Sequence, residues 1–310
     1  MKAVRIHAYK QTPAVENIPM PEVAADQVLV RIEAAALNPL DALVVSGGAA
    51  QFFNIQLPIT PGTDFAGMIV EVGSAVENWQ AGDRVIVWTD AGSGGGFAQF
   101  AAVPASACVT LPLKLSAAEG AAIPIAATTA WHSLFSTAGL KAGETVLIHA
   151  AAGGVGTFAI QFAKRAGARV IATASGDGIE LAARLGADQV IDYTSQDFVE
   201  LVHDVDLVLD LVGGETQLRS FEVLRRGGRL ISTAMPPDTS IAQSFGVSAS
   251  IFYAAPYAER LGELVSAVIE QEVTVVIDRE VPLTAFADAW ARLTSGHARG
   301  KIILKSEIFN

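Results

Sequence analysis

The chain has 310 residues, of which 51% are hydrophobic and 17% charged, which is enough apolar material for two packed domains and excludes a disordered or low-complexity polypeptide. A formal net charge of −11, with no basic stripe, excludes a nucleic-acid binder, because a chain this acidic repels polyanions. The single cysteine, Cys108, excludes an intrachain disulfide and a multi-cysteine zinc site.

The stretch "MKAVRIHAYKQTP" alternates like a strand and lacks the apolar block of a signal peptide. No run approaches the roughly 18 uninterrupted apolar residues of a membrane span. A soluble, cytoplasmic protein with no membrane partner is expected. Up to about residue 118 the pattern is strands and turns: "QVLVRIEAAAL", "GMIVEVG", "AGDRVIVW" and "GSGGGFAQFAAVP". Short strands so spaced predict a barrel-like antiparallel domain. Cys108, in "AVPASACVTLP", reads as a small core residue.

Near residue 116 the pattern changes. Ser116 and Glu119 form a capping-box signature, Pro124 interrupts the run, and a second helix is expected from about Ala127. Strands and helices then alternate: "TVLIHA" and "TFAIQFAKRAG", "RVIATA" and "IELAARLG", "QVIDY" and "SQDFVELV", "VDLVLDLVG" and "TQLRSFEVLRRGG", then "RLISTA". Near-continuous apolar strands in β-α alternation predict a parallel sheet covered on both faces. "VSASIFY" reads as a last strand, followed by a helix from about Pro256 to Gln271. The tail holds a strand, a helix and a strand that break the βα rhythm, so it is expected to return to the first domain.

The loop after the first of these strands, "HAAAGGVG", fits A-x-x-G-x-x-G at Ala150, Gly153 and Gly156, with Gly154 as an extra glycine. It follows a strand and opens a helix, as a dinucleotide fingerprint requires. Small residues let the backbone approach a pyrophosphate, and the free N–H groups and dipole of the helix N-terminus favour its charge. The second strand ends Ala172, Thr173, Ala174, Ser175, Gly176, without the acid that commonly holds a ribose 2′-OH. A neutral tip admits a 2′-phosphate, so NADPH is the expected cofactor, with NADH the alternative because Asp177 is near and no local cation is present. Ser175 reads equally well as a helix cap.

"LNPLD", "PGTDFAGMIVEVG", "AGDRV", "AATTAW", "HAAAGGVG", "LGADQVIDY" and "GHARGKIIL" occur in this order across nearly the whole chain. Together they resemble the zinc-free, quinone oxidoreductase-like branch of the medium-chain dehydrogenase/reductase superfamily. The resemblance implies an α/β protein with a GroES-like β-barrel catalytic domain (1–118, completed by 257–310) and a Rossmann domain, a doubly wound parallel sheet, over 119–256. It implies Asn38 and Asp41 beside the nicotinamide ribose and substrate mouth, although Asn-Pro also makes a good turn and Asp41 also serves to orient a loop. Thr63 and Asp64 stand where zinc-dependent relatives carry a His-Glu pair, and Asn38 where they carry a cysteine. That set is a poor first shell for zinc, so no metal is expected.

The resemblance further places Thr129 on the nicotinamide ribose, and Gly153, Gly154, Val155 and Gly156 on the phosphates. It places Ser175 and Tyr193 on the adenosine 2′-phosphate, and Val212 and Gly213 under a ribose. Phe252 falls on the carboxamide side, with sheet-edge core as its alternative. Lys301 falls near the cofactor, with a solvated strand-end charge as its alternative. The implied activity is zinc-independent hydride transfer from NADPH to a small-molecule quinone or α,β-unsaturated carbonyl. Reduction of an enoyl thioester or alkenal, and a low-turnover NADPH-binding redox sensor or scaffold, are the other readings. A homodimer is expected across the edge strand "VSASIFY". Phe52 and Phe53 line the substrate mouth or belong to the core.

Overall fold

Strands with alternating burial and strands buried on both faces divide the chain into two kinds of sheet. The computed structural model describes residues 1–256 and 258–306. β1 (Lys2–Arg5) and β2 (Ala14–Asn17) pair antiparallel. β3 (Gln27–Ala36), β4 (Asp64–Val72), β5 (Arg84–Trp88), β6 (Phe100–Pro104) and β7 (Cys108–Thr110) build an antiparallel sheet on β3. The core of this unit gathers Val30, Ile32, Phe65, Ile69, Val85, Val87 and Phe97, all essentially inaccessible to solvent. Cys108 is buried here too, its thiol pushed up to about 12 by burial.

Three helices follow in this part of the chain. α1 (Pro39–Ser46) follows β3 at once. The sequence pattern predicts strands and turns here and no helix, yet Asn38 stands at the N-cap of α1 and Pro39 opens it, a position where proline's fixed φ suits the helix. α2 (Ala117–Ala122) has the expected capping box: Ser116 Oγ accepts from Glu119 N at 3.2 Å, and Glu119 Oε2 accepts from Ser116 N at 2.8 Å. α3 (Pro124–Trp131) starts at Pro124 itself, three residues before the expected Ala127.

The second unit is a six-stranded parallel sheet. Its strands are β8 (Thr145–Ile148), β9 (Arg169–Ala174), β10 (Gln189–Asp192), β11 (Val205–Asp210), β12 (Leu224–Ser232) and β13 (Ser248–Ile251), in the order β10-β9-β8-β11-β12-β13. Val146, Leu147, Ile148, Val208 and Leu209 have no measurable exposure, as a sheet covered on both faces requires. The helices that matter for the site are α4 (Gly154–Arg165) after β8 and α5 (Asp177–Arg184) after β9. The long helix expected over "TQLRSFEVLRRGG" stops at Arg219, and Leu224–Ser232 is strand instead. The reason is pairing: Leu224 aligns with Val205, and both sides of that pair are buried.

Chain order makes the sheet open outward from β8. The chain runs from β8 to β9 and β10 on one side, then returns to β11 on the other. The C-terminal ends of β8 and β11 therefore flank the switch point where such sheets bind ligands.

The tail supplies β14 (Ile277–Pro282) and β15 (Lys301–Lys305), which pair in parallel, while β15 runs antiparallel to β3 with Ile303 opposite Ala36. The division differs from 1–118 plus 257–310 against 119–256. Among the described residues, contacts group Met1–Ile125, Ala255–Ile269 and those from Ile277 on, and separately Ala126–Ala254 with Glu270–Val276. The short return has a cause: Gln161 of α4 donates to Thr274 O at 2.9 Å and accepts from Thr274 N at 2.8 Å. No helix among the described residues is long and apolar enough to cross a membrane.

Candidate active site

The sequence-predicted residues fall into two clusters, one in each unit. In the parallel-sheet unit the chain leaves β8 through His149 and turns at Ala150, whose φ of 48° is left-handed despite its side chain. Ala151 N donates to Thr173 O at 3.0 Å, tying the turn to β9. α4 then starts at Gly154 with Gly153 as its N-cap and no side-chain cap. A Cβ on Gly156 would stand 2.5 Å from Ala151 O and 2.6 Å from Ala151 Cα, so only glycine lets α4 sit this close to the loop. On Gly153 it would stand 3.2 Å from Ala150 O. The result is a bare backbone cradle, with the unsatisfied N–H groups of a 12-residue helix aimed at the switch point. These residues fit a dinucleotide pyrophosphate.

The β9 tip ends in Ser175. Ser175 Oγ donates to Tyr193 Oη at 2.9 Å. The N-cap of α5 is Gly176, which has no side chain to cap with. Thr129 is buried on α3, beside a Thr128 hydroxyl that is buried without a hydrogen-bond partner. After Trp131 the helix widens into a π turn, His132–Thr137, and Phe252 stacks on His132 with ring centroids 6.0 Å apart. Phe252 is thus a half-buried face of the unit rather than enclosed core.

Val212 and Gly213 follow β11, and Val212 is 50% exposed. What shapes this loop escaped the sequence pattern: Asp210, fully buried at the end of β11. Its Oδ1 accepts from Val212 N (3.0 Å) and Gly213 N (2.8 Å), and its Oδ2 accepts from Gln217 Nε2 (2.9 Å) and Ser232 Oγ (2.8 Å). A carboxylate with four donors is a fixed structural anion. The available signal was an acid closing the apolar run Leu207–Leu209. His149 is likewise structural. It is buried between Thr173 Oγ1 at 3.1 Å and Ser220 Oγ at 3.0 Å, and burial pushes its pKa down to about 4, against a small upward pull from Asp210. It is neutral and enclosed.

A cleft of about 440 Å³ in this unit is lined by Trp131, Phe135, Phe162 and Arg165 among others. It sits at the Arg165 end of α4, about 16 Å of helix from the cradle.

The second cluster lies in the first unit, where β15 against β3 brings Lys301 to the start of α1. Lys301 is only 4% exposed, and its Nζ donates to Leu37 O at 3.0 Å and to Asn38 Oδ1. The solvated strand-end charge is therefore overturned, and two of the ammonium's three donors are held inside the protein. Asn38 Nδ2 donates to Asp64 Oδ2 at 3.1 Å, while Asn38 N donates to Asp41 Oδ2 at 2.7 Å. Asp64 also accepts from Thr63 Oγ1 at 3.0 Å and Ile125 N at 3.1 Å. Asn38, Asp41, Thr63 and Asp64 are all buried.

Two carboxylates against one ammonium leave a surplus negative charge in a dry interior, which is costly unless a proton is held. Desolvation pushes Asp41 up to about 7, helped by nearby Asp64 and opposed by the Asn38 N–H, Lys301 and the Gly62 N–H. Desolvation also raises Asp64 and lowers Lys301. The donor set does not fit a zinc ion. It has no thiol or imidazole, its amide oxygen and carboxylate oxygens are already bonded, and a second cation would face the ammonium. No group of three or more His, Cys, Asp or Glu able to hold a metal occurs among the described residues. Of the two phenylalanines, Phe53 packs on a core with Ile6, Val44 and Ile59, and Phe52 is 69% exposed.

Comparison with known proteins agrees with this architecture. Residues 24–113 match the alcohol dehydrogenase GroES-like domain, and residues 185–304 match the family described as zinc-binding dehydrogenase. The chloroplast envelope quinone oxidoreductase homolog of Arabidopsis thaliana is 37% identical, over 93% of this chain and 92% of its own. The NADPH-dependent alkenal/one oxidoreductase of the same plant is 34% identical, over 93% of this chain and 74% of its own. The Escherichia coli quinone oxidoreductase complexed with NADPH superposes with a TM-score of 0.89 at 27% identity, covering 98% of this chain and 100% of that one. The first unit is thus GroES-like and the second Rossmann-like.

The raised Asp41 pKa makes a signed prediction. The folded state holds this proton more tightly than the unfolded chain, so the associated stability is complete below about pH 4 and is lost as pH rises through about 7. Asp41→Asn, which mimics the protonated acid, should flatten the melting temperature of the cofactor-free protein over that window relative to wild type. Parallel melting-temperature curves for the two proteins would show that Asp41 is already ionised when folded.

Proposed function

We propose that this chain, which belongs to the quinone oxidoreductase-like branch of the medium-chain dehydrogenase/reductase superfamily, reduces a quinone or α,β-unsaturated carbonyl with NADPH and without a metal. The family membership makes it an oxidoreductase with a nicotinamide cofactor. The observation that carries the finer reading is the cradle of Gly153, Gly154, Val155 and Gly156 at the switch point, where backbone replaces side chain. The preference for NADPH rests on the β9 tip, where the Ser175–Tyr193 hydroxyl pair stands in place of an acid.

Bound there, a reduced nicotinamide supplies a hydride. The chain supplies position and the exclusion of competing charge. In the second unit Asp210 fixes the backbone of Val212 and Gly213 as one wall, and Thr129 and Phe252 bound the ribose and carboxamide side; in the first unit Asn38 holds a fixed carboxamide. Asn38 cannot rotate freely, because Lys301 holds its oxygen and Asp64 its nitrogen. Asp41, Asp64 and His149 are enclosed and spent on protein partners, so none is a ready proton donor. A quinone suits such a site, since it takes its protons from solvent once the hydride has arrived. Reduction of an alkenal is the second reading, supported by the 34% identical alkenal/one oxidoreductase.

The β13 edge has a strand partner on one side only among the described residues, and we read it as the seam of a homodimer. Light scattering should return twice the 32.3 kDa chain mass; a monomer would remove that seam.

Calorimetric titration tests the cofactor reading. Wild type should bind NADPH at roughly micromolar Kd and NADH about tenfold more weakly or worse. Ser175→Asp should weaken NADPH far more than NADH, because a carboxylate then faces the 2′-phosphate. Equal loss of both would remove Ser175 as the phosphate reader. Tight NADPH binding with no oxidation by a panel of quinones and alkenals would make the protein a sensor rather than a reductase.

A further inference from the structure

Met235 touches the loop after β11 in a way that the hydride-transfer chemistry does not use. It follows β12 and is 44% exposed. Its backbone is fixed: Met235 O accepts from Gln217 Nε2 at 3.1 Å, and Met235 N donates to Ser232 Oγ at 3.4 Å. Its side chain lies on the glycine pair. Gly214 N donates to Met235 Sδ at 3.0 Å, and a Cβ on Gly213 would stand 3.0 Å from both Met235 Cγ and Sδ. Gly213 and Gly214 are both left-handed, with φ of 79° and 58°. Asp210 holds the loop from beneath through the amides of Val212 and Gly213, and the thioether holds the next amide from outside.

We propose that Met235 is an oxidation site whose thioether latches the Val212–Gly214 loop, so that a hydroperoxide loosens the grip on the nicotinamide cofactor. The effect on the cofactor rests on the reading that this loop borders it; the latch itself does not. In the reaction a sulfur lone pair attacks the distal peroxide oxygen, the O–O bond breaks and an S–O bond forms. The sulfide loses two electrons, and the peroxide leaves as water or alcohol. Either sulfoxide epimer ends the contact with Gly214. Oxygen on the lone pair facing the amide is driven into the loop. Oxygen on the other lone pair leaves a sulfur with partial positive charge, a poor acceptor for N–H.

The chain contains its own controls. Met20 is 47% exposed and has no role in the loop. Cys108 is buried, with its thiol pushed up to about 12, so it offers little thiolate to a peroxide.

The experiment treats purified full-length protein with hydrogen peroxide. It then locates added oxygen by peptide mass spectrometry, reads the Gly214 amide by hydrogen exchange without cofactor, and measures the NADPH Kd. Oxygen at Met235 should speed Gly214 exchange and weaken NADPH about fivefold, the scale of one lost hydrogen bond. Methionine sulfoxide reductase should restore both. Met20→Leu should respond like wild type, and the Kd of Met235→Leu should be unmoved by peroxide. Oxygen at Met20 but not at Met235, or oxygen at Met235 with Gly214 exchange unchanged, overturns the latch. Faster Gly214 exchange with an unchanged NADPH Kd overturns its effect on the cofactor. If untreated protein binds no NADPH, the cofactor reading fails, and Gly214 exchange still decides the latch.

Discussion

The ammonium of Lys301, buried beside Leu37, Asn38 and two carboxylates, is the constraint on which the polar centre of the first unit depends. Removing a cation from such a group would strand negative charge in the interior, at a cost of about 3–5 kcal/mol. The rest follows from holding it there. β15 must pair with β3 to deliver the lysine. α1 must start at Asn38 to place the carboxamide between cation and acid. Asp41, at the third position of α1, must accept from the Asn38 amide while sharing the cluster's proton load. Asn38 is an acceptor toward Lys301 and a donor toward Asp64, so its amide orientation is set by charge on both sides.

The parallel-sheet unit obeys a different constraint, that of backbone proximity. Gly156 has no room for a side chain against Ala151, Ala150 accepts a left-handed conformation, and Asp210 absorbs four donors to hold the neighbouring loop. None of these groups performs chemistry. Together they leave the N-terminal N–H groups of α4 at the switch point of the sheet, where an anion is favoured. Hydride transfer asks the protein for orientation above all, and a cradle made of backbone and buried anions supplies orientation without side chains that would compete for the hydride or the proton.

Much of this was legible in the sequence because the signals are periodic or local. The β-α alternation, the glycine loop, the Ser116–Glu119 box and the neutral β9 tip each reflect a constraint acting over a few residues. The return of the tail was legible as a broken rhythm, but the environment of Lys301 was not, since it depends on pairing across 264 residues. A lysine at a strand end reads as solvated until its neighbour strand is known. Asp210 was hidden because a buried acid and an exposed one look alike in one dimension. α1 was not legible because an Asn-Pro step starts turns and helices alike. The seven residues from Glu270 to Val276 join the second unit through Gln161 and Arg165 of α4, whose roles no local pattern announces.

The central proposal is that the polar centre of the first unit is filled by the Lys301 ammonium and its protein partners and leaves no ligand set for zinc, so that the proposed reduction needs no metal. The most direct measurement is elemental analysis and NADPH-dependent quinone reduction on one preparation, before and after exhaustive chelation. The account predicts no stoichiometric zinc and an unchanged rate after chelation. Activity that is lost to the chelator and restored by added zinc would contradict it.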